Sequence, residues 1–391
     1  MTEWLEAAWM QRGDLQELVS ALGADKARYV GGAVRDTLVG LTVKDIDMAT
    51  VLRPQEVIER LGHAGIRTVP TGIEHGTVTA VLPGGPVEVT TLRHDVSTDG
   101  RRATVAFADD WREDAARRDF TINALYADPL TGEIFDWFGG YVDLMSRKVR
   151  FIGDARQRIR EDHLRILRYF RFQARFGSYP ADFGSESACA ELAATLKGLS
   201  RERVGMEMMN LLGLPDPAPT LRRMAELGVL EVILPEADPA RLERLVAVEK
   251  KQGVPPDGLR RLAALLPAQN AVAEQIASRF RLSSAQKKRL SLAAAPSEDG
   301  PVDAHGLAYR LGLEGAMDRL LLAGSDITAL SGWDIPRFPL KGGQIVARGI
   351  GAGPEVAALL RRIEDRWIAE GFPGEERVTA LLDEEIAARS V

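Results

Sequence analysis

The sequence predicts an α+β protein: a mixed head of short strands and helices followed by a long all-helical body. Three observations point there. Short, often β-branched runs punctuate the first 150 residues, at Tyr29-Val30, Asp45–Thr50, Thr77–Leu82 and Val87–Leu92. Past about residue 154 apolar residues recur at helical spacing instead. The later helices are separated by Leu214-Pro215-Asp216-Pro217, Gly253-Val254-Pro255-Pro256, Pro296–Pro301 and Phe338–Gly343, where proline and glycine interrupt a helix.

Taken in order, Trp4, Leu5, Ala8, Trp9, Leu15, Leu18 and Leu22 mark one face of a helix over residues 3–22. A strand follows over 28–31, then a helix over 33–40 that Gly40 ends. Asp45–Thr50 is a strand, and Pro54 opens a helix reaching about Leu61. The strands Thr77–Leu82 and Val87–Leu92 are joined by Pro83-Gly84-Gly85-Pro86, a hairpin signal. Residues 93–112 are polar and aperiodic, which predicts a mobile loop. A helix is expected over Thr121–Tyr126, short strands at Ile134–Asp136 and Lys148–Phe151, and helix over 155–176.

Composition sets limits. The chain has 391 residues, 45% hydrophobic and 27% charged, ordinary values for a globular protein of two to four domains. The single Cys189 excludes an internal disulfide framework and a thiolate metal cluster, and fits a reducing cytoplasm. No apolar run approaches the roughly 18 residues of a membrane span. Met1-Thr2-Glu3-Trp4 lacks the pattern of a signal peptide. A net charge of −6 argues against indiscriminate nucleic-acid binding. The charge is uneven, however. Residues 147–175 hold ten Lys/Arg against three Asp/Glu, and residues 240–290 eleven against four. Such stripes suit a defined polyanion partner, or are arginine-solvated helix faces.

The chemistry concentrates in four blocks. In the first, Gly31-Gly32-Ala33-Val34-Arg35-Asp36 precedes Asp45-Ile46-Asp47. Residues two apart on a strand share a face, so Asp45 and Asp47 converge. Paired carboxylates suit Mg²⁺, which keeps places for water and phosphate oxygens. Gly31 and Gly32 let backbone N–H groups approach phosphates, and Arg35 stands a helical turn on. Asp45 and Asp47 alone would read as solvated charges; the upstream glycines and arginine make them a metal-and-triphosphate site. Glu88 is the candidate third carboxylate, with Val87 and Val89 on the opposite strand face.

The second block is Arg117-Arg118-Asp119-Phe120-Thr121-Ile122-Asn123. Arginine forks match phosphate oxygens, Asp119 accepts from ribose hydroxyls, and Asn123 both donates and accepts. A plain helix start capped by Asp119 is the alternative. The third block, Asp136–Leu144, reads as structural, its carboxylates tying down neighbouring segments. The fourth is Glu161-Asp162-His163-Leu164-Arg165-Ile166-Leu167-Arg168-Tyr169-Phe170-Arg171. Asp162 and Arg165 are three apart and would share a helix face, with Arg168 continuing it. They form an ordinary ion pair or a reader of base edges. Cytosine and adenine each present an amino donor beside a ring-nitrogen acceptor. A carboxylate and a guanidinium complement both, whereas uracil and guanine would leave the pair unsatisfied, at about 1–3 kcal/mol for each buried group.

These blocks, in this order and spacing, resemble the class II tRNA nucleotidyltransferase and bacterial poly(A) polymerase family, with its polymerase-β-like head. The resemblance covers roughly residues 26–215 and ends at Leu199-Ser200-Arg201-Glu202-Arg203-Val204. It thins through Leu227–Glu236 and is faint at Leu340–Ile345, where relatives often carry an aspartate at the Gln344 position. It implies an N-terminal helix (1–25), head (26–150), neck (151–213), body (214–300) and tail (301–391). It implies that Asp45 and Asp47 bind catalytic Mg²⁺, Gly32 and Arg35 hold the triphosphate, and Arg117, Asp119 and Asn123 contact phosphate and ribose. Asp162 and Arg165 would pair with the incoming base, supported by Arg168 and Arg171. The 93–110 loop resembles an element tied to adding the final A. The implied activity is template-independent addition of C, C and A to tRNA from CTP and ATP. The basic helices at 155–175 and 240–290 would grip the acceptor arm. Tailing of RNA with ATP alone, and an inactive RNA-binding relative, are the rival readings. The C-terminal half shows no His-Asp phosphohydrolase pattern.

Overall fold

The computed structural model describes residues 3–99, 102–296 and 303–388. The chain divides into two compact units, Met1–Pro235 and Glu236–Val391.

The first unit is built on a seven-stranded sheet in the order β3-β4-β5-β2-β1-β8-β9. Its strands are β1 (Ala27–Val30), β2 (Ile46–Thr50), β3 (Arg67–Gly72), β4 (Thr77–Leu82), β5 (Gly85–Thr91), β8 (Leu125–Ala127) and β9 (Ile134–Asp136). β2 and β5 run parallel with Asp47 opposite Glu88. Ile46, Met48, Val87 and Val89 are buried on the opposite face, where period-two alternation puts them. The first helices of this unit are α1 (Gly13–Leu22), α2 (Gly32–Leu38) and α3 (Pro54–His63). The expected helix over 3–22 is divided: a 3₁₀ turn at Ala8–Gln11 precedes α1, and Arg12 between them is extended, its guanidinium gripping Asp14 at 2.7 Å.

Several expectations are corrected. β3 carries polar residues and Pro70, so no alternation announced it; it is an edge strand, where proline is tolerated. The aperiodic loop at 93–112 is instead a hairpin of β6 (Arg93–Asp99) and β7 (Arg102–Phe107), a separate two-stranded sheet, followed by α4 (Trp111–Ala116). Backbone pairing from Arg93↔Phe107 to Asp99↔Arg102 builds it, and main-chain pairing does not depend on apolar alternation. Thr121–Tyr126 is a 3₁₀ turn at Thr121–Asn123 leading into β8, because Tyr126 pairs with Val30 on β1. Lys148–Phe151 forms no strand beyond a Phe120–Phe151 bridge, since the Lys148 N–H is taken by the Asp143 carbonyl. The third block is structural as expected: Asp136 accepts N–H donors from Phe138, Gly140 and Tyr141, fixing the start of α5 (Gly140–Met145).

Helix over 155–176 is two helices, α6 (Ala155–Glu161) and α7 (Arg165–Phe176). Asp162 between them is extended at φ −152°, and its Oδ1 accepts from Leu164 N at 3.1 Å. A side-chain oxygen that offers the backbone a local partner breaks a helix at such a point. Asp162 and Arg165 therefore flank a turn rather than share a helix face. α8 (Phe183–Leu192), α9 (Arg201–Leu212), α10 (Ala218–Glu226) and α11 (Val229–Ile233) complete the unit.

Among its described residues the second unit's regular elements are all helical: α12 (Pro239–Gln252), α13 (Gly258–Leu265), α14 (Asn270–Arg279), α15 (Ser284–Ala293), α16 (Ala304–Leu322), α17 (Gly342–Val346), α18 (Pro354–Ala369), α19 (Glu375–Ala387) and a 3₁₀ turn at Thr328–Leu330. Its basic stretch is partly internal. Arg260 and Arg261 are buried and donate to the two oxygens of Glu249 at 2.7 and 2.8 Å, while Arg289 holds Asp318 at 2.7 Å. Those three arginines brace α12, α13, α15 and α16 rather than form a solvated stripe. No helix among the described residues is long and apolar enough to cross a membrane.

Candidate active site

The turn from β1 into α2 sets one wall of the site. Gly31 has φ 67°, and a Cβ there would stand 3.3 Å from Arg118 Nη1. Backbone geometry and close approach both call for glycine. Arg35, one turn along α2, is buried. It donates to Asp36 at 2.8 and 2.5 Å and through Nη1 to Asn123 Oδ1 at 2.5 Å. Its guanidinium also lies 5.1 and 4.3 Å from the Phe172 and Phe176 rings of α7. Asp36 in turn accepts from Arg175 at 2.9 Å, pinning α2 to α7.

β2 delivers Asp47. Burial, and next the Glu88 charge on the adjacent strand, push its carboxyl up to about 6, with Asp45 adding to the rise and Arg118 opposing it. Asp45 stands just ahead of β2, exposed. Crowded carboxylates on one sheet face are a donor set that a divalent cation relieves. Among the described residues no group of three His, Cys, Asp or Glu is gathered closely enough to hold an ion. The donors therefore fit Mg²⁺ sharing phosphate oxygens and water, not an all-protein cage.

The second block forms the floor. Asp114 on α4 is 1% exposed and collects Arg117 Nε at 2.8 Å, Arg118 Nη2 at 3.3 Å, Tyr126 Oη at 2.5 Å and the Arg93 N–H at 3.2 Å. Burial disfavours its charge, but the two arginines outweigh it and hold the carboxyl below its usual value. Arg118 also donates to Tyr126 Oη at 3.0 Å. Asp119 accepts from Arg168 Nε and Nη2 at 2.8 and 2.5 Å and from Asn123 Nδ2 at 2.9 Å. These donors offset its burial and depress its pKa.

The α6–α7 turn closes the site. Asp162 Oδ2 accepts from Arg203 Nη2 at 2.7 Å; Arg165 donates to Glu161 at 2.6 Å and to the Arg158 carbonyl at 2.9 Å. The two are thus held by separate outside partners and not by each other. Gly31, Gly32, Arg35, Asp47, Arg117, Asp119, Asn123, Asp162, Arg165 and Arg168 together line a single cavity of about 380 Å³, a volume suited to a small ligand. Asp45, Glu88 and Arg171 are outside that lining. Asp45 and Glu88 act on Asp47 from nearby, whereas Arg171 is tied to Glu207 at 2.6 Å. Arg118 and Phe172 also line the cavity. Neither was among the site residues singled out from sequence, although Arg118 belongs to the Arg117-Arg118-Asp119 run and Asp114 lies four residues ahead of it.

The chain matches the model of the Poly A polymerase head domain over residues 27–150 and that of the Probable RNA and SrmB-binding site of polymerase A over residues 183–241. It is 38% identical over 370 residues to the mitochondrial CCA tRNA nucleotidyltransferase 1 of Mus musculus, covering 88% of this chain and 83% of the relative. It is 39% identical over 239 residues to the CCA-adding enzyme of Latilactobacillus sakei, 60% of this chain and 58% of that one. In three dimensions it resembles the crystal structure of the Bacillus stearothermophilus CCA-adding enzyme in complex with CTP. That match has a TM-score of 0.76 and 28% identity, over 97% of this chain and 99% of the other. Likeness on this scale, extending beyond the head into the helices that follow, means that the chain belongs to the tRNA nucleotidyltransferase (CCA-adding enzyme) family.

Proposed function

We propose that this protein adds C, C and A to the 3′ end of tRNA, taking CTP and ATP as substrates. One observation carries the reading: Asp47, the arginines Arg35, Arg117, Arg118 and Arg168, and the Asp162/Arg165 pair line one cavity of nucleotide size. A metal-dependent phosphoryl site and a base reader thus address the same ligand.

Asp45 and Asp47, with Glu88 beside them, would hold Mg²⁺. Two such ions would supply the chemistry of two-metal nucleotidyl transfer, one favouring ionisation of the RNA 3′-hydroxyl and the other offsetting charge at the α-phosphate and pyrophosphate. Arg35, Arg117 and Arg118 supply fixed positive charge for the triphosphate, each already held by a carboxylate or an amide so that little reorganisation is needed during reaction. The Asp162 carboxylate accepts from the exocyclic amino group of cytosine or adenine. Arg165 donates to the ring nitrogen beside it; its Nη2 has only a 3.5 Å approach to the Arg117 carbonyl to give up. Arg168 braces the pocket through Asp119, while Arg171 supports α7 through Glu207. Exposed cations of the neck and body, such as Arg244 and Lys288, take the tRNA phosphates; buried Arg260 and Arg261 do not.

The segments 1–25, 26–150, 151–213, 214–300 and 301–391 are the functional divisions we assign to N-terminal helix, head, neck, body and tail. We assign the work to the cytoplasm, supported by a lone buried Cys189; similar proteins of Mus musculus, Homo sapiens and Danio rerio are named as mitochondrial. The test is CTP incorporation into tRNA lacking its terminus, with and without Asp45→Ala plus Asp47→Ala. Loss of incorporation and of pyrophosphate release in the double variant is expected. Unchanged incorporation refutes the assignment of both carboxylates.

A further inference from the structure

The helical second unit has a cavity of its own. It encloses about 560 Å³, within the range of small-molecule sites. Leu245, Val248, Leu266, Leu321 and Leu322 wall it, together with alanines of α12, α13 and α15. Those alanines leave the space open, because their side chains stop at Cβ where the helices meet. Three arginines, Arg241, Arg244 and Arg319, share this otherwise aliphatic lining. Among its described residues no carboxylate lines the cavity, and Asp238 reaches Arg241 only at 3.9 Å from outside it.

Charge sets the sign of the ligand. The C-terminal ends of α13, α15 and α16, at Leu266, Ala294 and Ala323, border the cavity. Each such end carries about half an elementary charge of negative sign, so three full guanidinium charges outweigh them. Some of their carbonyls are already met. Arg241 Nη1 donates to the Leu266 carbonyl at 2.6 Å, and Arg319 to those of Leu292 and Pro296 at 3.2 and 2.8 Å. Arg244 is different: it is exposed on α12 and has no partner among the described residues. The lining then sets the chemistry. Its described side chains offer donors and no acceptor. A nucleobase amino group or a sugar hydroxyl would find no side-chain acceptor there, and no aromatic ring is present for a base to stack on. A carboxylate only accepts, and the arginine fork matches it. An alkyl chain suits the aliphatic walls.

We propose that this cavity binds an amphiphilic anion, a carboxylate on an aliphatic chain of medium length, with the carboxylate at Arg244 and the chain among α12, α13, α15 and α16. The proposal stands apart from CCA addition, and either can fail without the other. Titration calorimetry on the full chain compares octanoate, decanoate and decylammonium below their micelle thresholds. RNA is left out, since Arg244 is also among the cations assigned to tRNA phosphates. Decanoate binds at one site, about fifteenfold more tightly than octanoate, because each buried methylene contributes about fourfold. Decylammonium, with the same chain and the opposite charge, binds at least about tenfold more weakly than decanoate. Arg244→Gln weakens decanoate about tenfold, the scale of one charge-assisted hydrogen bond. Ala264→Trp fills the cavity and abolishes binding, with melting curves to show that the variant is folded; should it not fold, the exposed Arg244→Gln still decides. The proposal is overturned if decanoate shows no saturable binding or if decylammonium binds as well as decanoate. Unchanged decanoate affinity in Arg244→Gln, or in a folded Ala264→Trp, overturns it too. Weakened tRNA binding in Arg244→Gln, with no decanoate bound by the unaltered protein, assigns the arginine to RNA alone.

Discussion

Arg203→Ala removes a guanidinium that is outside the pocket lining yet holds Asp162, the carboxylate we assign to base reading. Arg203 Nη2 donates to Asp162 Oδ2 at 2.7 Å, and the two side chains are 22% and 23% exposed. A charge-assisted bond of this length is stronger than a neutral one, but partial exposure to water reduces its worth. About 1–2 kcal/mol is the resulting contribution to fixing the carboxylate. Leu164 N still holds the other oxygen, so Asp162 stays near the pocket and becomes mobile rather than lost. That energy corresponds to about five- to thirtyfold in a rate ratio. The assay is kcat/KM for CTP against UTP, and for ATP against GTP, on truncated tRNA. Selection falls by that factor in Arg203→Ala, and Arg203→Lys restores part of it because a cation returns without the fork. If Arg203→Ala keeps both ratios within twofold, the ion pair does not set base selection.

Asp114→Asn removes the buried charge beneath Arg117 and Arg118 and destabilises the first unit by about 3 kcal/mol in denaturant unfolding. Because the folded-state pKa of Asp114 is depressed, with burial opposed and outweighed by those arginines, its contribution is present above the unfolded carboxylate range and is lost as pH falls through the folded value. The variant should therefore differ least from the unaltered protein in acid. Glu249→Ala takes away the carboxylate to which Arg260 and Arg261 both donate, and lowers the stability of the second unit by about 3 kcal/mol; a melting temperature unmoved from that of the unaltered protein contradicts it. Burial and Glu88 push Asp47 up to about 6, so the affinity of the RNA-free enzyme for Mn²⁺, followed by titration calorimetry, drops about tenfold from pH 7 to pH 5 as the carboxylate protonates. A Kd that is flat across that range contradicts a metal-binding Asp47 that titrates near 6.

What could be read from the sequence was what local spacing encodes. Asp47 and Glu88 face the same side because strand alternation dictates it, and Gly31 is at a turn that admits little else. The complementarity of Asp162 and Arg165 to a base edge, on which the proposed selection rests, is legible as chemistry but not as geometry. The helix expected to align them breaks at Asp162, and each side chain is held from elsewhere, by Arg203 and Glu161. Arg203 is 41 residues from its partner, a distance that leaves no trace in any local pattern. The β6–β7 hairpin was missed for a related reason: its strands pair backbone to backbone, which no side-chain alternation in the sequence announces. Arg171 is another contact that local spacing does not announce. It continues the run of arginines on α7, yet a buried Glu207 on α9 claims it.

The decisive measurement is product length at single-nucleotide resolution. A tRNA ending at the discriminator base is incubated with CTP alone, then with CTP and ATP, in Mg²⁺. Two added nucleotides in the first case and three in the second, with no further growth, are expected from one pocket that accepts both bases. A long ladder of A residues from ATP alone, or no extension in either mixture, contradicts it.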